Sequence, residues 1–143
     1  MKKKLNVDKY DPKIYPRKLW ITTEIDKLNE QFVFVNGIDN LENCSTYHEI
    51  QRDFEYDTSI ALTCAVMNIA TDELGVLIIL MNENKVTTEV IAHESVHVAD
   101  YFYEQLGLYS QDFSSGNEAY AYLVGWSADC ISNTLNKIRK QDD

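Results

Sequence analysis

Between Thr87 and Gly107 the apolar residues Val90, Ile91, Val98, Phe102 and Leu106 recur at the spacing that gathers them on one side of a helix, and inside that stretch the chain reads His93-Glu94-Ser95-Val96-His97. A helix with about 3.6 residues per turn stacks His93 and His97 one turn apart, so their imidazole nitrogens can reach a single ion at about 2.0–2.1 Å. Glu94 projects roughly a hundred degrees round the axis, beside that ion rather than onto it. This offset suits a general base acting on a water that the ion holds. Core packing is the plainer alternative, but two histidines and a glutamate make a poor apolar face. The segment must then be helical, bury its apolar side against another layer, and leave its histidines reachable.

A catalytic zinc site takes about three protein ligands and keeps one position open for water, so two histidines leave the set incomplete. The extended pattern H-E-x-x-H-x-x-G-x-x-H is not met, because Asp100 and Tyr103 stand where its glycine and third histidine would be. His48, the remaining histidine, falls in an upstream stretch that reads as loop. Glu118 is the better candidate, since it opens a second helical pattern in Gly116-Asn117-Glu118-Ala119-Tyr120-Ala121-Tyr122, and a helix hairpin would carry it to the first helix. Ala121 and Gly125 lie on the same face, and Gly125 costs about 1 kcal/mol relative to alanine inside a helix, which close approach of the neighbouring helix would explain. Against this, Ser115-Gly116-Asn117-Glu118 also matches a capping box, in which Glu118 would only satisfy the helix's own first amides. Asp100 and Asp129 are candidates to support a histidine from behind, or else are solvated charges. Tyr122 or Tyr120 could donate to a developing oxyanion, though tyrosines at such positions more often pack.

The rest of the chain predicts an α+β fold, a small antiparallel sheet followed by two long packed helices. Ile60 to Ile69 and Val76 to Met81 read as two antiparallel strands around a turn at Ala70 to Gly75, and Asn82-Glu83-Asn84 ends the second. Gly107 is placed to end the first long helix, and the second runs from about Gly116 to Lys140, with Lys137, Arg139 and Lys140 near the favourable end of its dipole. Upstream, Arg17 to Thr23 and Gln31 to Val35 carry strand composition, and between them Ile25, Leu28 and Phe32 fit a short helix after a Thr23 cap. Asn36-Gly37 signals a turn, and Ile38 to Thr58 reads mainly as loop.

With 143 residues, 45% hydrophobic and 25% charged, the chain suits one globular domain without linker or repeat. A net charge of −10 repels phosphate backbones and argues against nucleic acid as a partner. No apolar run follows the basic start Met1-Lys2-Lys3-Lys4, so no secretion signal is expected, and Val76 to Met81 is too short to cross a membrane. Cys44, Cys64 and Cys130 form no C-x-x-C pair, which fits free thiols in a cytoplasmic protein.

With H-E-x-x-H on one helix and a glutamate in E-A-Y-A-Y on the next, the stretch from about Ile60 to Cys130 resembles the gluzincin metallopeptidases, the thermolysin-like clan. The wording of Ile91 to Tyr101 and of Asn117 to Cys130 is similar to the small minimal gluzincins encoded by bacteriophages and prophages. The resemblance implies His93, His97 and Glu118 as zinc ligands, Glu94 as base and proton shuttle, and a peptide or protein substrate lying along a short antiparallel sheet. One departure stands out, because the thermolysin-like enzymes carry an acidic residue four positions after the ligand glutamate and this chain has Tyr122 there. The reading is a zinc-dependent peptide hydrolase. Its alternatives are a catalytically degenerate gluzincin-fold binding or assembly protein that keeps the zinc, and a deformylase or small-amide hydrolase. The last would need a cysteine ligand in a glycine-rich setting, which Cys64 lacks.

Overall fold

The computed structural model describes residues 7–24, 28–35, 44–45 and 60–142. Among them lie the strands β1 (Asp8–Tyr10), β2 (Lys18–Thr22), β3 (Phe32–Val35), β4 (Cys44–Ser45), β5 (Ala61–Asn68) and β6 (Leu74–Leu80). The helices are α1 (Leu28–Gln31), α2 (Thr88–Leu106) and α3 (Glu118–Asp142). The strands form one sheet in the order β1-β2-β6-β5-β3-β4, and the two long helices cover one face of it, an α+β arrangement.

The β5–β6 hairpin explains itself from its residues. Asn68 Oδ1 accepts hydrogen bonds from the backbone amides of Ala70 (3.0 Å) and Thr71 (3.2 Å), which closes the turn, and Ala61 then pairs with Leu80 and Met67 with Leu74. The unbroken apolar run of β6 follows from its central place, where both faces are covered. Val76, Ile78 and Leu80 pack toward α2 and α3 with Leu19, Ile21, Val98, Phe102, Leu123 and Ile131. Leu77 and Ile79 point the other way, into a second cluster with Trp20, Leu28, Phe32, Phe34 and Val66.

The sheet is mixed, and this corrects the expectation of an antiparallel one. β2 runs parallel to β6, with Trp20 opposite Leu77 and Ile21 opposite Ile78. The pairing is close. A Cβ on Gly75 would lie 2.0 Å from the Lys18 carbonyl oxygen, so only glycine fits there. In the upstream stretch read mainly as loop, Cys44 and Ser45 pair with Val35 and Phe34, and the remainder, 38–43 and 46–58, lies outside the described residues. β1, antiparallel to β2, was not expected at all, since Asp8-Lys9-Tyr10 is polar and forms an edge. Of the short helix Leu28 to Gln31 is described, so Gln31 closes it and Phe32 opens β3 in place of extending it; Ile25, the Asn36-Gly37 turn and His48 lie outside the described residues.

Both ends of α2 follow the local chemistry. The Thr87 hydroxyl accepts from the Val90 amide at 3.4 Å, and Gly107 takes a left-handed conformation (φ 64°) that closes the last turn. α3 begins at Glu118, slightly later than the sequence suggests, because Gly116 (φ 82°) and Asn117 (φ 49°) are both left-handed and cannot continue a helix backwards. Among the described residues, no helix is long and apolar enough to cross a membrane.

Candidate metal centre

α2 divides its chemistry between two faces. Glu94, Ser95, Val98, Ala99, Phe102 and Tyr103 are buried, so the helix seats this side on the sheet and on α3. His93, His97 and Asp100 are exposed, and their spacing places them on one outward stripe. The Nε2 atoms of His93 and His97 lie 3.1 Å apart, with the rings edge-on at 77°. Two nitrogens bound tetrahedrally to one zinc at about 2.0–2.1 Å would be about 3.3 Å apart, so the pair is spaced to chelate a single ion. The same separation permits one imidazole to donate a hydrogen bond to the other.

Glu94 is turned inward and only 7% exposed. A carboxylate so far from water needs a donor. The donor is the Thr63 hydroxyl, from the middle of β5, which donates to Glu94 Oε2. Sequence reasoning missed Thr63. The available signal was a hydroxyl flanked by apolar residues in Ala61-Leu62-Thr63-Cys64-Ala65, at a strand position that faces the helix layer. His93 and Glu94 border the same cavity, about 210 Å³, together with Ile60, Ala61, Glu89 and Val90. Burial pushes the neighbouring Cys64 thiol up to about 12, with the Glu94 charge adding to it, so that thiol is a poor metal ligand as it stands.

The start of α3 is tied to the outward stripe of α2 by aromatic residues. The Tyr120 hydroxyl donates to Asp100 Oδ1 at 2.6 Å, and the Tyr120 ring meets Tyr103 edge-on at 5.3 Å. Asp100 is one turn beyond His97, so the first turn of α3 lies against the α2 turn that follows the histidines. Burial, then the hydrogen bond to Asp100, pushes the Tyr120 phenol up to about 12. Among the described residues, Asp100 is therefore engaged with Tyr120 and with neither His93 nor His97.

Glu118 is the first residue of α3 and exposed. A capping box needs its glutamate at the third helical position, so the Ser115–Glu118 box does not form; the Ser115 amide is instead held by Asp112 Oδ1 at 2.9 Å. Glu118 borders a second cavity, about 620 Å³, with Ala121, Tyr122, Gly125, Trp126 and Asp129. This overturns the reason expected for the small residues. A Cβ added at Gly125 would meet nothing within 4 Å, and Ala121 is exposed, so this stripe faces solvent and not α2. Tyr122, on the same cavity, is 76% exposed, whereas Trp126 is half-buried with its ring 6.3 Å from that of Phe102.

The structure thus brings His93 to His97 and sets the inward-turned Glu94 on a cavity that His93 also lines. Among the described residues, no three His, Cys, Asp or Glu side chains are gathered closely enough to hold one ion, so Glu118 does not stand beside the imidazoles in the arrangement seen. No family model, curated protein or solved structure matches the chain.

Proposed function

We propose that this protein is a zinc-dependent hydrolase that cleaves peptide bonds, with His93 and His97 as ligands, Glu94 as general base and Glu118, which stands apart from the imidazoles in this arrangement, as the third ligand. One observation carries the reading: two imidazole nitrogens 3.1 Å apart on an exposed helix face, with the buried Glu94 carboxylate lining the same cavity as His93. The likeness of His93-Glu94-Ser95-Val96-His97 and Glu118-Ala119-Tyr120-Ala121-Tyr122 to the gluzincin motifs supports it further.

Zinc, when bound, supplies Lewis acidity, lowering the pKa of a water to about 7 and polarising the scissile carbonyl. The chain's own groups do the rest. Glu94 accepts the proton of the attacking water and passes it to the leaving amine, which keeps the proton count balanced. The Tyr120 hydroxyl donates to Asp100, and Tyr122, which lines the cavity beside Glu118, is the phenol we assign to the oxyanion. Two free buried thiols, Cys64 and Cys130, support a cytoplasmic setting.

A second reading has its own observation. Glu118 opens on a different cavity from His93, as it would in a degenerate gluzincin-fold binding or assembly protein that retains a metal without turnover. Metal analysis and hydrolysis of a mixed peptide pool, with and without chelator, separate the two. The parent should carry about one zinc per chain and lose its hydrolysis to chelator. Glu94→Gln should keep the zinc and lose at least about a hundredfold in rate; His93→Ala or His97→Ala should lose the zinc. Equal zinc content in Glu118→Ala and parent would remove Glu118 from the ligand set, and zinc without hydrolysis would favour the binding protein.

A further inference from the structure

We infer that Thr63 is a positioning residue for Glu94, a sheet-borne hydroxyl that holds the carboxylate in the orientation the reaction needs. The inference rests on the reading of Glu94 as the base. Its physical basis is independent of that reading. Thr63 and Glu94 are each 7% exposed, and the hydrogen bond between them joins β5 to α2 across the interface of the two layers.

The two ends of this bond differ in stiffness. Glu94 has a long side chain with several rotors, whereas Thr63 is β-branched and sits mid-strand, paired with Ile78 on β6. The strand therefore sets where the hydroxyl lies, and the carboxylate follows it. Alternation along β5 explains why this position faces the helices: Ala61 packs in the helix-side cluster and Cys64 and Val66 in the opposite one. Thr63 is thus a polar group on a core-facing position, and Glu94 is its partner. With Oε2 engaged, the carboxylate is held against rotation at the cavity it shares with His93. The Thr63 hydroxyl bonds to Glu94 and not to His93 or His97, so its effect on the reaction passes through Glu94.

The test compares zinc-loaded parent, Thr63→Val and Thr63→Ser on the mixed peptide pool and then on a single cleaved peptide. Valine keeps the shape and removes the donor; serine keeps the donor. We expect Thr63→Val to lose about 10- to 100-fold in kcat with KM and zinc content close to the parent, and Thr63→Ser to recover most of the loss. Equal kcat in Thr63→Val and parent, or an equal loss in both variants, would overturn the inference. Should Thr63→Val fail to fold, Thr63→Ala carries the same comparison. If the parent hydrolyses nothing, the catalytic reading fails by itself, and crystal structures of the variants decide the positioning. A Glu94 carboxylate that swings away in Thr63→Val but stays in Thr63→Ser supports it; one that has not moved in Thr63→Val refutes it.

Discussion

Gly75 and Gly125 are the same residue type in opposite circumstances. At Gly75 a side chain would collide with the Lys18 carbonyl, so Gly75→Ala must part β2 from β6 or shift the register, and we expect a loss of about 3 kcal/mol or more. At Gly125 nothing lies within reach of a new Cβ, and the helical backbone suits alanine, so Gly125→Ala should stabilise by about 1 kcal/mol. Urea unfolding of both variants measures the two signs together, and a loss in Gly125→Ala would mean that the space over α3 is filled in the folded protein. At this scale the sequence was half legible. His93, His97 and Glu94 could be placed relative to one another because helix geometry fixes their angles whatever surrounds them. The inward turn of Glu94 onto Thr63 could not, since it depends on which strand lies beneath the helix. Gly125 was misread for the related reason that a small residue is compatible with contact and with empty space alike.

The contact of α2 with α3 is where the elements meet near the candidate centre, and Tyr120 is its polar fastening. Its phenol, raised from an ordinary 10.0 to about 12 by burial and by Asp100, keeps its proton in the folded protein after the unfolded chain has lost it. The sign follows: the contribution to stability is complete below pH 10 and drains away as pH rises from 10 toward 12, where the unfolded state binds fewer protons. Absorbance titration of the parent minus that of Tyr120→Phe isolates this group. We expect its midpoint near 12, falling part of the way toward 10.0 in Asp100→Asn because burial is the larger cause. An unchanged midpoint in Asp100→Asn would show that the two residues do not hold each other in solution. The long elements were readable for simple reasons: the hairpin from a turn between two apolar runs, and α2 from its period and its end signals, Thr87 and Gly107. The parallel pairing of β2 with β6 was not, because neither strand's composition names its neighbour. β1 and β4 are too short and too polar to announce themselves.

Over the whole molecule, charge is the dominant long-range term. The net charge is −10, and among the described residues the ion pairs of Lys9 with Glu73 at 2.6 Å, Lys18 with Asp11 at 3.2 Å and with Glu73 at 3.9 Å, and Lys137 with Asp8 at 3.5 Å are open or partly open to solvent. Such pairs contribute about 0–1 kcal/mol each, less than the repulsion among the excess carboxylates. The thermal midpoint at pH 7 should therefore rise by a few degrees from low salt to about 0.3 M sodium chloride as screening shortens the reach of that repulsion. A midpoint that falls would give the ion pairs the larger share.

The junction of β2 with β6 also bears on how the chain reaches its native state. The inner strand β6 needs a partner made near the start of the chain, and the hairpin formed with β5 supplies only one of its two edges. The local hairpin can close early, but its exposed flank stays sticky until a distant segment has searched for and found it, so refolding should be slower than two adjacent helices and a hairpin alone would suggest.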